Sequence, residues 1–162
     1  MGKVAFLFAG QGAQHPGMGA GIAAASPAAR AAFDAADSVR PGTFKQCCQG
    51  TKEELSQTEN TQPCVFATDL ACARALEERG VEPDVVAGFS LGEVAALTFA
   101  GAFSDKKGFE LVCRRAELMA AAASSHPGVM RAVVKLDAAR VEELAAEVAC
   151  QTDGDCWPVN YN

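Results

Sequence analysis

The chain has 162 residues, 49% of them hydrophobic and 21% charged, with a formal net charge of −6. A chain of that length buries roughly 70% of its unfolded surface, enough for a core without staples, and suits one domain with part of a second. The acidic balance, with no long lysine or arginine cluster, argues against nucleic acid as a partner.

Residues 3–10, "KVAFLFAG", are almost continuously apolar and end at glycine. This predicts a strand buried on both faces of a parallel sheet. The run is too short for a signal peptide and nothing approaches a membrane span, so a cytoplasmic protein is expected. A glycine-rich loop, "GQGAQHPGMG", follows, and then an alanine-rich helix with Ser26 before Pro27 as its start. Residues 40–55 are turn-rich and poorly periodic. From Thr61 one long helix is predicted, with Val65, Leu70, Ala73 and Leu76 at helical spacing and Gly80 as its stop. "VEPDVVAG" gives the next strand and "LGEVAALTFAGAF" the next helix. That alternation predicts an α/β protein whose parallel sheet is covered on both faces. A further helix is capped by Ser104 or Asp105.

After His126-Pro127-Gly128 the pattern changes. "VMRAVVKL" alternates like a strand, residues 137–151 form an amphipathic helix capped by Asp137, and "CWPVNYN" reads as the opening of another strand. These predict the beginning of a second, small α+β unit. The seven cysteines are scattered without a C-x-x-C pair, so they read as reduced thiols, with Cys64, Cys72 and Cys113 expected in the core. No metal site is expected.

The chemistry concentrates at "GFSLG", residues 88–92, where Ser90 stands between two glycines at a strand-to-helix bend. Such a bend holds a hydroxyl clear of the sheet beside free amides at a helix start, which suits a nucleophile facing a tetrahedral oxyanion. The bland alternative is a tight-turn packing serine. The first loop ends the first strand on the same sheet edge, so the backbone N–H groups of Gln11 and Leu91 could both meet the oxyanion. As a phosphate cradle that loop lacks the lysine and threonine of a P-loop.

Five stretches, "LFAGQGAQHPGMG", "TENTQPCVFATDLA", "GFSLGEVAAL", "LVCRRAELM" and "VNYN", in this order and spacing, resemble the N-terminal half of the malonyl-CoA:acyl-carrier-protein transacylases and related acyltransferase domains. The resemblance implies an α/β-hydrolase-like large subdomain over residues 1–127, incomplete, and a ferredoxin-like small subdomain beginning at 128–162, truncated. It implies transfer of a malonyl group from coenzyme A to the phosphopantetheine thiol of acyl carrier protein in fatty-acid biosynthesis. A coenzyme A thioester is then the substrate, and no cofactor is bound. By motif match, Ser90 is the nucleophile and the Gln11 and Leu91 amides form the oxyanion hole. Arg115 binds the malonyl carboxylate, although a shift of one residue would exchange it with Arg114. Gln62 shapes the pocket or is merely a polar group near a helix start, and Asn160 lies near the cleft.

Two departures stand out. The residue before the nucleophile is usually histidine in that family, and here it is Phe89, an aromatic wall expected to alter packing or kinetics. The family's catalytic histidine would fall after Asn162. His15 and His126, the only histidines here, are weak candidates for the base, so the chain alone is expected to be weakly active or inactive. The competing readings are a serine hydrolase or thioesterase, which a buried cation disfavours, and a non-catalytic fragment that binds coenzyme A or the carrier protein.

Overall fold

The computed structural model describes residues 2–152 and 154–161. The chain divides into two compact units, Met1–His126 and Pro127–Asn162. Most of the first unit is helical around a small parallel sheet. Strand β1 (Ala5–Phe8) leads through the glycine loop to α1 (Ala20–Ala25) and α2 (Pro27–Val39), and two short helices follow, α3 (Thr43–Gln49) and α4 (Lys52–Leu55). The long α5 (Thr58–Glu78) precedes β2 (Val85–Gly88), α6 (Leu91–Phe99) and α7 (Asp105–Ser125).

Local chemistry sets these boundaries. Ser26 caps α2 by accepting the Ala29 amide at 3.1 Å, with Pro27 opening the helix. Its hydroxyl also donates to Glu78 at 2.6 Å, tying the start of α2 to the end of α5. Residues 40–55, unassigned from periodicity, form α3 and α4; a reciprocal capping box between Thr51 and Glu54 starts α4. Helix α5 begins at Thr58, three residues before the expected start, and Gly80, in the left-handed region at φ 78°, ends it.

Helix α5 is the centre of the unit. Thr61 to Ala67 are all buried, so the helix meets neighbours around most of its circumference there. Phe66 stacks at a tilt on Phe109 of α7 with ring centroids 5.9 Å apart. On the other flank α2 buries Ala29, Ala32, Phe33 and Ala36, a stripe at helical spacing. Each fully buried phenylalanine contributes roughly 2–3 kcal/mol of hydrophobic stabilisation. Arg74 of α5 joins Asp105 of α7 at 2.8 Å, with its guanidinium over the Phe99 ring.

Strands β1 and β2 pair in parallel, Ala5 opposite Val85 and Phe8 opposite Gly88. The expected burial on both faces is corrected here. Phe6 and Phe8 pack on Phe99 of α6, but Leu7 is 79% exposed and Val85 56%. The ladder has two strands among the described residues, and only the phenylalanine side is covered. Cys64 is buried as expected, whereas Cys72 is exposed because it lies on the α5 face turned toward that uncovered sheet edge.

The second unit contains α8 (Ala138–Gln151), capped by Asp137 accepting the Arg140 amide at 2.9 Å. The strands expected at residues 129–136 and 156–162 are absent from the described residues, and Asn162 itself lies outside them. Alternation alone does not make a strand; it needs a ladder partner, and none is described in this unit. Val129, Met130 and Val134 are instead more than 70% exposed.

Candidate active site

The bend from β2 into α6 is built by steric necessity. A Cβ on Gly88 would fall into the Gly92 carbonyl, and one on Gly92 into the Phe8 and Ala9 carbonyls at the end of β1. Only glycine permits that crossing of helix start and strand end. Between them Ser90 adopts φ 56° and ψ −110°, a conformation L-residues avoid. Ser90 is the N-cap of α6 yet makes no side-chain cap bond, so its hydroxyl is turned to other work.

That hydroxyl accepts a hydrogen bond from Arg115 Nη2 at 3.0 Å, while Arg115 Nη1 donates to Gln62 Oε1 at 2.7 Å. Three residues from α5, the bend and α7 thus meet on one guanidinium. Gln62 is fully buried, and its Nε2 donates to Met119 Sδ at 3.2 Å, fixing which amide atom faces Arg115. Arg115 is half-buried and has no carboxylate partner among the described residues. Its neighbour Arg114 pairs with Glu117 at 2.9 Å on the exposed side of α7, which separates the two arginines that the sequence left exchangeable. A planar cation beside a serine hydroxyl, with no anion of its own among the described residues, has the geometry to offer parallel donors to a carboxylate.

Leu91 opens α6, and neither its amide nor that of Gln11 donates to a protein acceptor among the described residues. Gln11 is exposed in the loop after β1. That loop lies against the bend: a Cβ on Gly10 would sit 2.6 Å from Phe89 Cδ1. Phe89 is 53% exposed, its ring over the loop backbone. Asn160 lies exposed in the second unit. His15 is exposed and its Nδ1 donates to the Ala13 carbonyl at 3.2 Å. His126 caps the end of α7 through its backbone. Neither histidine bonds to Ser90.

A profile described as "Acyl transferase domain" matches residues 5–153. The chain belongs to that family. Among acyl transferase domain relatives, the malonyl CoA-acyl carrier protein transacylase of Bacillus subtilis (strain 168) is 39% identical over 149 residues, which are 91% of this chain and 47% of the relative. The solved transacylase from Streptococcus pneumoniae superposes with a TM-score of 0.84 at 37% identity, over 92% of this chain and 49% of that one. A malonyl-transacylase solved in complex with its type II PKS acyl-carrier protein gives 0.81 at 35% identity, over 91% and 48%. The chain spans about half the length of the relatives it matches.

Two residues of this acyl transferase domain went unread in its sequence. Met119 anchors Gln62, and no periodicity marks it. Asp69 of α5 stands among apolar residues at i+3, i+4 and i+7, and that lone carboxylate in an apolar stripe was the available signal. Burial pushes its carboxyl up to about 7, partly offset by the Ala9 backbone amide, and its Oδ2 is buried without a donor among the described residues. Those residues contain no cluster of three or more His, Cys, Asp or Glu able to hold a metal, and no helix long and apolar enough to cross a membrane.

Proposed function

We propose that this chain carries the acyl-receiving half of a malonyl-CoA:acyl-carrier-protein transacylase site, on an α/β-hydrolase-like core with the start of a ferredoxin-like subdomain. Ser90 Oγ attacks the thioester carbonyl of malonyl-CoA. The carbonyl oxygen takes the negative charge and is met by the Gln11 and Leu91 amides and the positive start of α6. Collapse breaks the C–S bond, leaving a Ser90 malonyl ester and free coenzyme A, whose sulfur takes a proton. The carrier-protein phosphopantetheine thiol then attacks the ester in the same manner, restoring the Ser90 hydroxyl. Both displacements need a base for the attacking hydrogen, and the base belongs to the part of the family fold beyond this half.

The observation that carries this reading is the Arg115 guanidinium, 3.0 Å from Ser90 Oγ and unpaired with any described carboxylate. A malonyl ester on Ser90 places its free carboxylate one methylene beyond the ester carbon, within the reach of a cation beside Oγ. An acetyl ester would leave that cation unused, and a neutral-chain hydrolase would have no use for it. Gln62, rigidly buried, keeps the guanidinium plane fixed. Asn160 is assigned a place near the same cleft by motif position. The fitting partners are therefore malonyl-CoA and acyl carrier protein, in fatty-acid biosynthesis, with coenzyme A as carrier of the substrate and no bound cofactor.

The test is intact mass of the chain before and after prolonged incubation with malonyl-CoA, followed by peptide mapping. The expected result is one malonyl adduct on the peptide containing Ser90, discharged by carrier protein. Discharge by water at the same rate with and without carrier protein would favour a hydrolase. Binding of malonyl-CoA with no ester would favour a non-catalytic module.

A further inference from the structure

We propose that Cys47 of α3 and Cys64 of α5 are an oxidation site that closes to a disulfide on meeting a small hydroperoxide. Both side chains are fully buried where α3 packs on α5, and Cys47 Sγ donates to the Cys64 carbonyl at 3.7 Å. The Cys47 thiol is also in hydrogen-bond contact with the Cys64 sulfur. The fold thus brings together two thiols that stand 17 positions apart.

Their surroundings are polar on one side. Arg40 Nη1 donates to Gln46 Oε1 at 2.8 Å, and the same oxygen accepts from Cys64 Sγ at 3.5 Å. Arg40 Nη2 donates to Asn60 Oδ1 at 2.7 Å, and the guanidinium has no carboxylate partner among the described residues. The hydrogen bond from Cys47 and the Arg40 charge hold Cys64 below the usual thiol range against its burial. That same bond, with burial, pushes Cys47 up. One sulfur therefore favours the thiolate while the other keeps its proton, the asymmetry of an attacking and a resolving thiol. Burial raises Cys48 and pushes Cys113 up to about 11, so neither competes as the attacking sulfur.

Gln46 also lines a surface cavity with Lys45 and Gln49, so it touches open space on one side and the Cys64 sulfur on the other. A water-sized oxidant needs that one side chain to turn, whereas a bulky disulfide would need α3 to come away. Cys64 sulfur attacks the outer peroxide oxygen: an S–O bond forms, the O–O bond breaks, and the departing oxygen takes the thiol proton as water or alcohol. Cys47 sulfur then attacks Cys64 sulfur; the S–S bond forms, the S–O bond breaks, and the hydroxide leaves as water with the Cys47 proton. Two electrons pass from the sulfurs to the peroxide.

The crosslink lies between two supports of the Ser90 bend. The Cys47 carbonyl accepts the Gly17 amide of the first loop at 3.1 Å, and Gln62, the partner of Arg115, stands two residues before Cys64. The inference rests on the packing of α3 against α5 and not on the chemistry of Ser90, so it and the transfer reaction fail separately.

The experiment treats the native chain with equimolar hydrogen peroxide, blocks remaining thiols with iodoacetamide in urea, and maps tryptic peptides without reduction. Cleavage after Lys45, Lys52 and Arg74 places Cys47 and Cys64 on separate peptides, which also carry Cys48 and Cys72. The mapping is therefore repeated in the Cys48→Ser, Cys72→Ser double variant, where only Cys47 and Cys64 can join the two. The linked pair is expected in both proteins, at least about tenfold more abundant than any other disulfide, removed by dithiothreitol and absent from Cys64→Ala. No linkage of the two peptides in the native double variant would overturn the proposal. So would the same mixture of disulfides from native and urea-unfolded chain, or an oxygen gain on Cys64 that dithiothreitol does not reverse.

Discussion

Ser90 holds a left-handed backbone at φ 56°, a position costing a non-glycine residue about 1–3 kcal/mol. Ser90→Gly is therefore expected to raise stability by about 1 kcal/mol, read as a higher urea midpoint, while abolishing the malonyl adduct. An unchanged or lower midpoint would remove the strain argument. Asp69 makes a pH-dependent prediction. Its folded carboxyl is pushed up to about 7, above the ordinary carboxylate range, so the folded state holds this proton more tightly than the unfolded state. Its contribution is complete at acid pH and is lost as pH rises through 7. Asp69→Asn mimics the protonated form. Its stability advantage over wild type should widen between pH 5 and pH 8 by on the order of 2 kcal/mol, measured by urea titration at each pH.

The elements around the site hold it by close approach. Gly92 sits against the Phe8 and Ala9 carbonyls, so Gly92→Ala must push α6 off the end of β1. A loss of about 2 kcal/mol or more is expected, with loss of the Ser90 adduct; full stability and activity in that variant would contradict the crossing described here. Much of this scale was legible beforehand. Ser26 and Asp137 cap their helices as read, Ser104 is the cap of the two candidates offered for α7, Gly80 stops α5, and Gly-Phe-Ser-Leu-Gly forms the bend, because each rests on chemistry within a few residues. Arg115 and Gln62 were each singled out only through family resemblance, and the contact between them, which joins positions 53 apart, was not legible in the sequence. What failed depended on neighbours absent from local pattern. The apolar run at β1 suggested two covered faces, but coverage belongs to whatever packs on Leu7. The alternation at 129–136 suggested a strand, but a strand requires a partner. Thr51 and Glu54 did carry a capping-box signal for α4 that periodicity obscured.

At the scale of the molecule, the two units are joined through a stretch, residues 126–136, that is exposed and without helix or strand. Limited trypsin digestion is expected to cut first after Arg131 or Lys135, leaving a protected piece that ends shortly after α7. First cuts inside α5 or α7 would contradict the packing around α5. The net charge of −6 leaves little general attraction for an anionic partner, and Lys107 and Arg114 are already paired with Glu110 and Glu117. In the proposed reaction, recognition of the malonyl carboxylate therefore falls on local groups, above all Arg115. The most direct measurement compares single-turnover ester formation from malonyl-CoA and acetyl-CoA in wild type and Arg115→Ala. Loss of a two-pronged charged contact should lower the malonyl-to-acetyl ratio about 10- to 100-fold. A malonyl-to-acetyl ratio that Arg115→Ala leaves unchanged would contradict the pairing of that hydroxyl with that guanidinium.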